Sequence, residues 1–400
     1  MTIGVLVAAC ALLTMLAVAE VGARWWVRRR SHCYVWAPGA RLEIQVDPEA
    51  CPELERRVRF DINADGERGD DVRGSDAGLY RILAVGGSAV ECFMLDQPTS
   101  WPGALERLLN APGSLRTLGA RQVHVGNIGH SGVGSIELDV ILERVLPRYR
   151  HLDAILIMVG ASDVYHWLEI GAPPSCAAPP VPELMLFGCH PRQPFGVAPA
   201  AWALTEVARR LRRSWLHPLE VKERGGAWFA TARLMRAAAK EVRTAVPDPA
   251  SLLDNFELHF RRVVRRAMAH AKRVLVVRQP WFEKDYTAEE RARFWHGAVG
   301  LPWKETVSVY YSLEVVNHLL GLVDARAATI AEALCVPHLD LRPVLTQGLR
   351  HYYDHDHLTP AGAAVVARTV AAVLLGRQRG SPRSLRSGVS ELSSTVIART

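Results

Sequence analysis

Five short apolar runs punctuate the chain, at residues 81–86, 122–126, 154–159, 273–277 and 338–341. Continuous runs of this length, rich in valine, isoleucine and leucine, predict strands buried on both faces. Between them, apolar positions recur at helical spacing over residues 101–110, 136–145, 253–271, 309–334 and 361–375. Apolar strands alternating with amphipathic helices predict an α/β domain, a three-layer α/β/α sandwich around a five-stranded parallel sheet. In such sheets ligands bind beyond the carboxyl ends of the strands, where the strand order switches.

The pattern fails in three places. From about Tyr165 to Asn255 the separation between strand and covering helix is too long for a plain connection. Residues 171–200 are proline-rich, and 202–246 read as helical and basic, broken by Pro218 and by Gly225-Gly226. We expect a cap-like insertion at about 165–255, within the α/β domain spanning 79–376. Residues 31–78 are polar and read as a strand-poor juxtamembrane segment. Residues 377–400 form an Arg/Ser-rich tail with little to bury, expected to be disordered.

The N-terminus changes the class of protein. Residues 3–19 carry no charge, Trp25 and Trp26 suit a membrane interface, and Arg28, Arg29 and Arg30 suit headgroups. A retained single-pass anchor over 1–30 is expected. The competing reading is a cleaved signal peptide, with Ala17-Val18-Ala19 as its processing site, although no basic residue precedes the apolar run. The formal charge of +7 invites a nucleic-acid partner. Its excess, however, sits in the arginines that follow the anchor and in the basic tail, which leaves the domain near neutrality. No nucleic-acid partner is expected.

The cysteines bear on sidedness. Cys10 lies in the anchor, and Cys92 and Cys335 read as small core residues. Cys33 with Cys51, and Cys176 with Cys189, form two local pairs in loop-like sequence that would suit an oxidising compartment. The arginines after the anchor argue for a cytoplasmic domain; the cysteine pairs favour an extracytoplasmic one, and that is the expectation.

Candidate chemistry lies after the strands. Ser88 closes Val85-Gly86-Gly87-Ser88 at the end of the first run. Alone it reads equally well as an ordinary helix N-cap. Asp354 and His357 stand three residues apart in Asp354-His355-Asp356-His357-Leu358-Thr359-Pro360, so their side chains can meet. The carboxylate could then fix the imidazole tautomer while the other ring nitrogen faces Ser88. The crowding of His351, Asp354, His355, Asp356 and His357 also admits a metal, but no second cluster with ligand spacing supports one. Two further segments, Asn127-Ile128-Gly129-His130-Ser131-Gly132 and Gly160-Ala161-Ser162-Asp163, follow the second and third runs. Residues 129–133 almost spell a G-x-S-x-G elbow, but Val133 stands where the last glycine belongs. Nor do Gly126, Gly129 and Gly132 have the spacing of a dinucleotide loop.

The order and content of these four segments resemble the SGNH hydrolases, the GDSL-like esterases. The resemblance covers residues 80–163 and 350–375. It implies a flavodoxin-like fold, with Ser88 as nucleophile, His357 as base and Asp354 as its orienting acid. Ser88, Gly132 and Ser162 would form the oxyanion hole, with no cofactor or metal. The sequence departs from the family pattern twice: Gly87 stands where aspartate is usual, a variant of membrane-anchored relatives, and Ser162 stands where the family has asparagine. The implied activity is serine ester hydrolysis through an acyl-enzyme, on lipid esters or O-acylated envelope glycans. An O-acyltransferase using the same serine and a non-catalytic glycan-binding protein with a degenerate site are the alternatives.

Overall fold

The computed structural model describes residues 2–30, 32–72, 77–175, 182–191, 195–216 and 218–377. Ten strands in chain order are β1 (Arg41–Val46), β2 (Arg57–Asp61), β3 (Leu79–Gly86), β4 (Gln122–Asn127), β5 (Ala154–Met158), β6 (Leu219–Gly225), β7 (Glu241–Arg243), β8 (Arg273–Arg278), β9 (Val309–Tyr311) and β10 (His338–Asp340). The five expected from the apolar runs, β3, β4, β5, β8 and β10, form one sheet in the order β10-β8-β5-β3-β4. All its pairings are parallel.

The two-residue period of a strand explains the layers. Ile82, Ala84, Val125, Leu156, Met158, Leu275 and Val277 project to one face and join the core under the helices Trp101–Leu109 and Pro360–Leu374. Leu83, Val85, Ile155, Ile157, Val274 and Val276 project to the other, under Ser135–Val145, Ala250–His270 and Leu313–Ala333. Each buried leucine or isoleucine removed from water contributes roughly 1.5–3 kcal/mol, so a sheet apolar on both faces is stable only inside such a sandwich. The chain leaves β3 toward β4 on one side and returns to β5 on the other. The switch in strand order therefore opens a crevice at the carboxyl ends of β3 and β5.

Four expectations need correction. Residues 31–78 are not strand-poor: β1 and β2 pair antiparallel, and β6 adds in parallel to β1. The signal was half-buried alternation, Ile44 and Val46 in β1 and Val58 and Phe60 in β2 being buried between polar or charged neighbours, and it is easily lost among polar residues. The helix expected over 309–334 begins at Leu313, where Ser312 Oγ accepts from the Val315 N–H at 3.3 Å. Residues 309–311 are instead β9, which pairs with β7. Cys335 is exposed at the end of that helix rather than in the core. Cys51 is a buried free thiol, so the Cys33–Cys51 pairing is not made. Cys176 lies outside the described residues, as does the basic tail from residue 378.

The segment 165–255 reaches three places. Helix Ala203–Leu216 packs on the N-terminal helix Thr2–Arg30, β6 completes the side sheet, and helix Ala227–Ala237 carries Phe229 into the main core. Thr2–Arg30 contains a stretch, Ile3–Arg29, long and apolar enough to cross a membrane, and nearly all of it is exposed.

Candidate active site

Ser88 opens the one-turn helix Ser88–Glu91 directly after β3. The turn before it leaves no room for side chains. A Cβ at Gly86 would lie 1.8 Å from the Met158 carbonyl oxygen, and φ there is +154°. At Gly87 a Cβ would lie 2.9 Å from the Val133 carbonyl oxygen and 3.4 Å from Ser162 Oγ. Both glycines are therefore required by close backbone approach. A side chain such as aspartate at position 87 would meet a carbonyl here.

His357 Nε2 lies 2.8 Å from Ser88 Oγ across 269 positions of sequence. Its Nδ1 lies 2.8 Å from Asp354 Oδ2 and 3.0 Å from Oδ1. Asp354 is fully buried and well supplied with donors: the backbone N–H groups of Asp356 and His357 at 3.2 and 2.9 Å, and Trp295 Nε1 at 3.1 Å. The carboxylate thus holds the ring so that Nδ1 carries the proton and Nε2 faces the serine. The loop is clamped at its ends: the Tyr353 N–H donates to the His357 carbonyl at 3.0 Å, and Thr359 Oγ1 caps the helix Pro360–Leu374 at the Gly362 N–H.

Electrostatics strengthen this pairing. Burial alone would raise Asp354, but the His357 charge and hydrogen bonds outweigh it and hold the carboxyl well below its ordinary range. Burial alone would lower His357, but Asp354 and Asp356 raise it to about 9. Asp356 itself is pushed up, chiefly by burial.

Ser162 sits in the first turn of the helix Ala161–Glu169 and is nearly buried. Its hydroxyl has no hydrogen-bond partner among the described residues. Gly132 has φ +75°, in a turn tied to the nucleophile loop by the His130 N–H, which donates to the Gly86 carbonyl at 3.1 Å. Ser131, the serine of the elbow-like stretch, donates to Glu91 Oε2 rather than pairing with His357.

The His/Asp crowd separates. His351 Nδ1 accepts from the Thr346 N–H at 2.8 Å, and His355 is held by Tyr165 Oη at 3.1 Å and Asn317 Oδ1 at 2.8 Å. In their place comes His296, which sequence reasoning missed. It is 2% exposed, and neither ring nitrogen has a hydrogen-bond partner. Its Nε2 lies 3.4 Å from Asp356 Oδ1, likewise unpartnered. The donor atoms of His296, Asp354, Asp356 and His357 lie within 4.8 Å of one another, the set that could hold a metal ion. Gln279 was also missed. Its Nε2 donates to Asp356 Oδ2 at 3.1 Å and its Oε1 accepts from the Ala161 N–H at 3.2 Å, bracing the 354–357 loop against the Ser162 helix. Both come from segments without a motif, so only their location in space reveals them.

The chain matches no protein-family profile and no curated protein. Among solved structures it is similar to an acetyl xylan esterase from Geobacillus stearothermophilus, at 14% identity over 77% of this chain and 97% of that one, with a TM-score of 0.39. It is also similar to an alpha/beta hydrolase from the metagenome of Lake Arreo, at 12% identity over 74% and 94%, with a TM-score of 0.40. A likeness this distant says nothing about what this chain binds or does.

Proposed function

We propose that this protein is a membrane-tethered serine ester hydrolase of the SGNH type. The observation that supports it most is the 2.8 Å approach of His357 Nε2 to Ser88 Oγ, with Nδ1 of the same ring on buried Asp354. Neutral His357 takes the hydroxyl proton as Ser88 Oγ attacks the acyl carbonyl carbon. Negative charge develops on the carbonyl oxygen, where the N–H groups of Ser88 and Gly132 and the Ser162 hydroxyl would meet it. Collapse expels the alcohol, which takes the proton from His357 Nε2, and leaves an acyl group on Ser88. Water, deprotonated by His357, then attacks this ester. The acid departs and Ser88 regains its proton. No cofactor or metal is needed for these steps.

An anchor at residues 1–30 would keep the site near a membrane, with the domain on the extracytoplasmic side. Acyl lipids and O-acylated envelope glycans are the substrate classes within reach there. The test is p-nitrophenyl acetate hydrolysis by the full chain in detergent, for wild type and the Ser88→Ala, His357→Ala and Ser131→Ala variants. The full chain is used because Glu20 caps a helix of the folded domain. Loss of activity with Ser88 and His357, and its survival without Ser131, is expected. A requirement for Ser131 alone would overturn the assignment. A well-folded wild type inert on acetate and longer esters would favour a non-catalytic glycan-binding protein.

A further inference from the structure

Helix Ala203–Leu216 has two faces, and only one is covered. Ala203 and Glu206 are buried, and the helix packs on Thr2–Arg30. The junction is specific. Glu20 Oε1 and Oε2 accept from the backbone N–H groups of Ala203 and Leu204 at 2.8 and 2.9 Å, so a side chain of the apolar helix caps the first turn of the other. Arg24 closes the corner, with Nε on Glu20 at 2.7 Å and Nη2 on the Gly196 carbonyl at 3.0 Å. The join falls where the charge-free run of residues 3–19 ends, the level at which a spanning helix would meet headgroups.

On the open face, Leu204, Ala208, Leu211 and Trp215 follow one another at spacings of four, three and four residues, a single stripe along the helix. Leu211 is 53% exposed and Trp215 81%, and Leu216 at 69% and, beyond the helix, Leu219 at 51% add exposed apolar surface. Arg212 flanks it, while Arg209 and Arg210 rest on Glu206 and Arg213 lies toward the covered side. The helix thus carries four arginines against one glutamate. An exposed apolar stripe edged with arginine suits a helix lying in the boundary between headgroups and acyl chains.

We propose that helix Ala203–Leu216, with Leu219, lies on the surface of an anionic bilayer beside the membrane-spanning helix and seats the domain there. Continuity with the span and charge complementarity both select this occupant. A second copy of the chain in a two-fold contact would set arginines against arginines. The inference does not rest on ester hydrolysis.

The test places a photoreactive benzoylphenylalanine at position 211, 215 or 258 of the full chain, in nanodiscs of phosphatidylcholine with or without phosphatidylglycerol. Leu258, on Ala250–His270, is 49% exposed and serves as the control. Lipid adducts at 211 and 215 should exceed those at 258 by about tenfold and should rise about threefold or more with phosphatidylglycerol, a rise removed by Arg212→Glu with Arg213→Glu. Yields at 215 no greater than at 258, cross-links to a second copy, or equal yields in both lipids would each overturn the proposal.

Discussion

Two buried carboxylate–histidine pairs belong to the same sandwich and behave differently. Glu67 meets His124 of β4 beside the amino-terminal half of the sheet, and Asp354 meets His357 beyond the carboxyl ends. Glu67 is fully buried and saturated: Oε2 takes His124 Nε2 at 2.8 Å and Asn63 Nδ2 at 3.3 Å, while Oε1 takes Tyr149 Oη at 2.6 Å and Arg81 Nη2 at 3.1 Å. The other His124 nitrogen lies 3.3 Å from Glu106. A Cβ at Gly126 would lie 2.4 Å from this carboxylate, so the glycine makes room for it. Burial would raise Glu67, but His124 and Arg81 bring it down to about 2; burial would lower His124, but Glu106 and Glu67 raise it to about 9.

His357 is raised to the same level, yet its second nitrogen faces a hydroxyl rather than a carboxylate. Its side chain is 13% exposed against 2% for His124. Around it His296 and Asp356 keep unpartnered atoms, whereas none remain on Glu67 or His124. The same ionic chemistry is closed in one place and open in the other. A saturated pair can only hold the fold, while a pair with a free reactive edge can move a proton.

The sharpest way to break this comparison is to exchange the readouts. Asp354→Asn should lower kcat/KM on p-nitrophenyl acetate by about 10³–10⁴-fold through the wrong tautomer, with little change in unfolding midpoint. Glu67→Ala should do the reverse, costing about 3–5 kcal/mol in urea unfolding by stranding buried positive charge, while folded molecules keep their activity. If Glu67→Ala abolishes activity at unchanged stability, the division between the two pairs is wrong.

Two smaller effects sharpen it. His357 acts as a base only when neutral, so kcat/KM should climb with pH through about 9 and level off above. Asp356 is one of the charges that raise His357, so Asp356→Asn should move this limb to lower pH. His124 is raised from 6.5, so its pairing stabilises the fold fully below pH 6.5, and that contribution is lost as pH rises through about 9. Glu67 is depressed from 4.5, so its share is present above pH 4.5 and is lost as pH falls through about 2. Glu67→Gln should flatten the alkaline slope in unfolding free energy without shifting the activity limb. Last, if Ser162 is the weak donor of the oxyanion hole, Ser162→Asn should raise kcat and Ser162→Ala lower it, each by about tenfold or less. Equal rates in all three would remove Ser162 from the hole.

Legibility followed burial. The strands of the main sheet could be read because they are apolar on both faces, as in the wholly buried Ala-Ile-Leu-Ile-Met of β5. β1 and β2 could not, since short strands with one exposed face show an alternation of only two or three apolar residues, and β9 is only three residues long and runs straight into a helical pattern. Local motifs, Gly86-Gly87-Ser88 and Asp354 with His357, marked candidate chemistry because turns and three-residue spacings are set by nearby covalent geometry. His296 and Gln279 carried no such mark.

The order of the main-sheet strands and their covering helices, the parallel sheet, the apolar N-terminal helix and the two candidate catalytic segments were determined by the sequence alone, through periodicity and steric demands that act over a few residues. Only tertiary structure decided that Ser88 and His357 meet across 269 positions, that Ser131 turns to Glu91, that His296 joins Asp354, Asp356 and His357 and that Glu20 caps a helix 183 positions away. Those contacts depend on how the layers pack, and packing is a property of the whole core that no local pattern encodes.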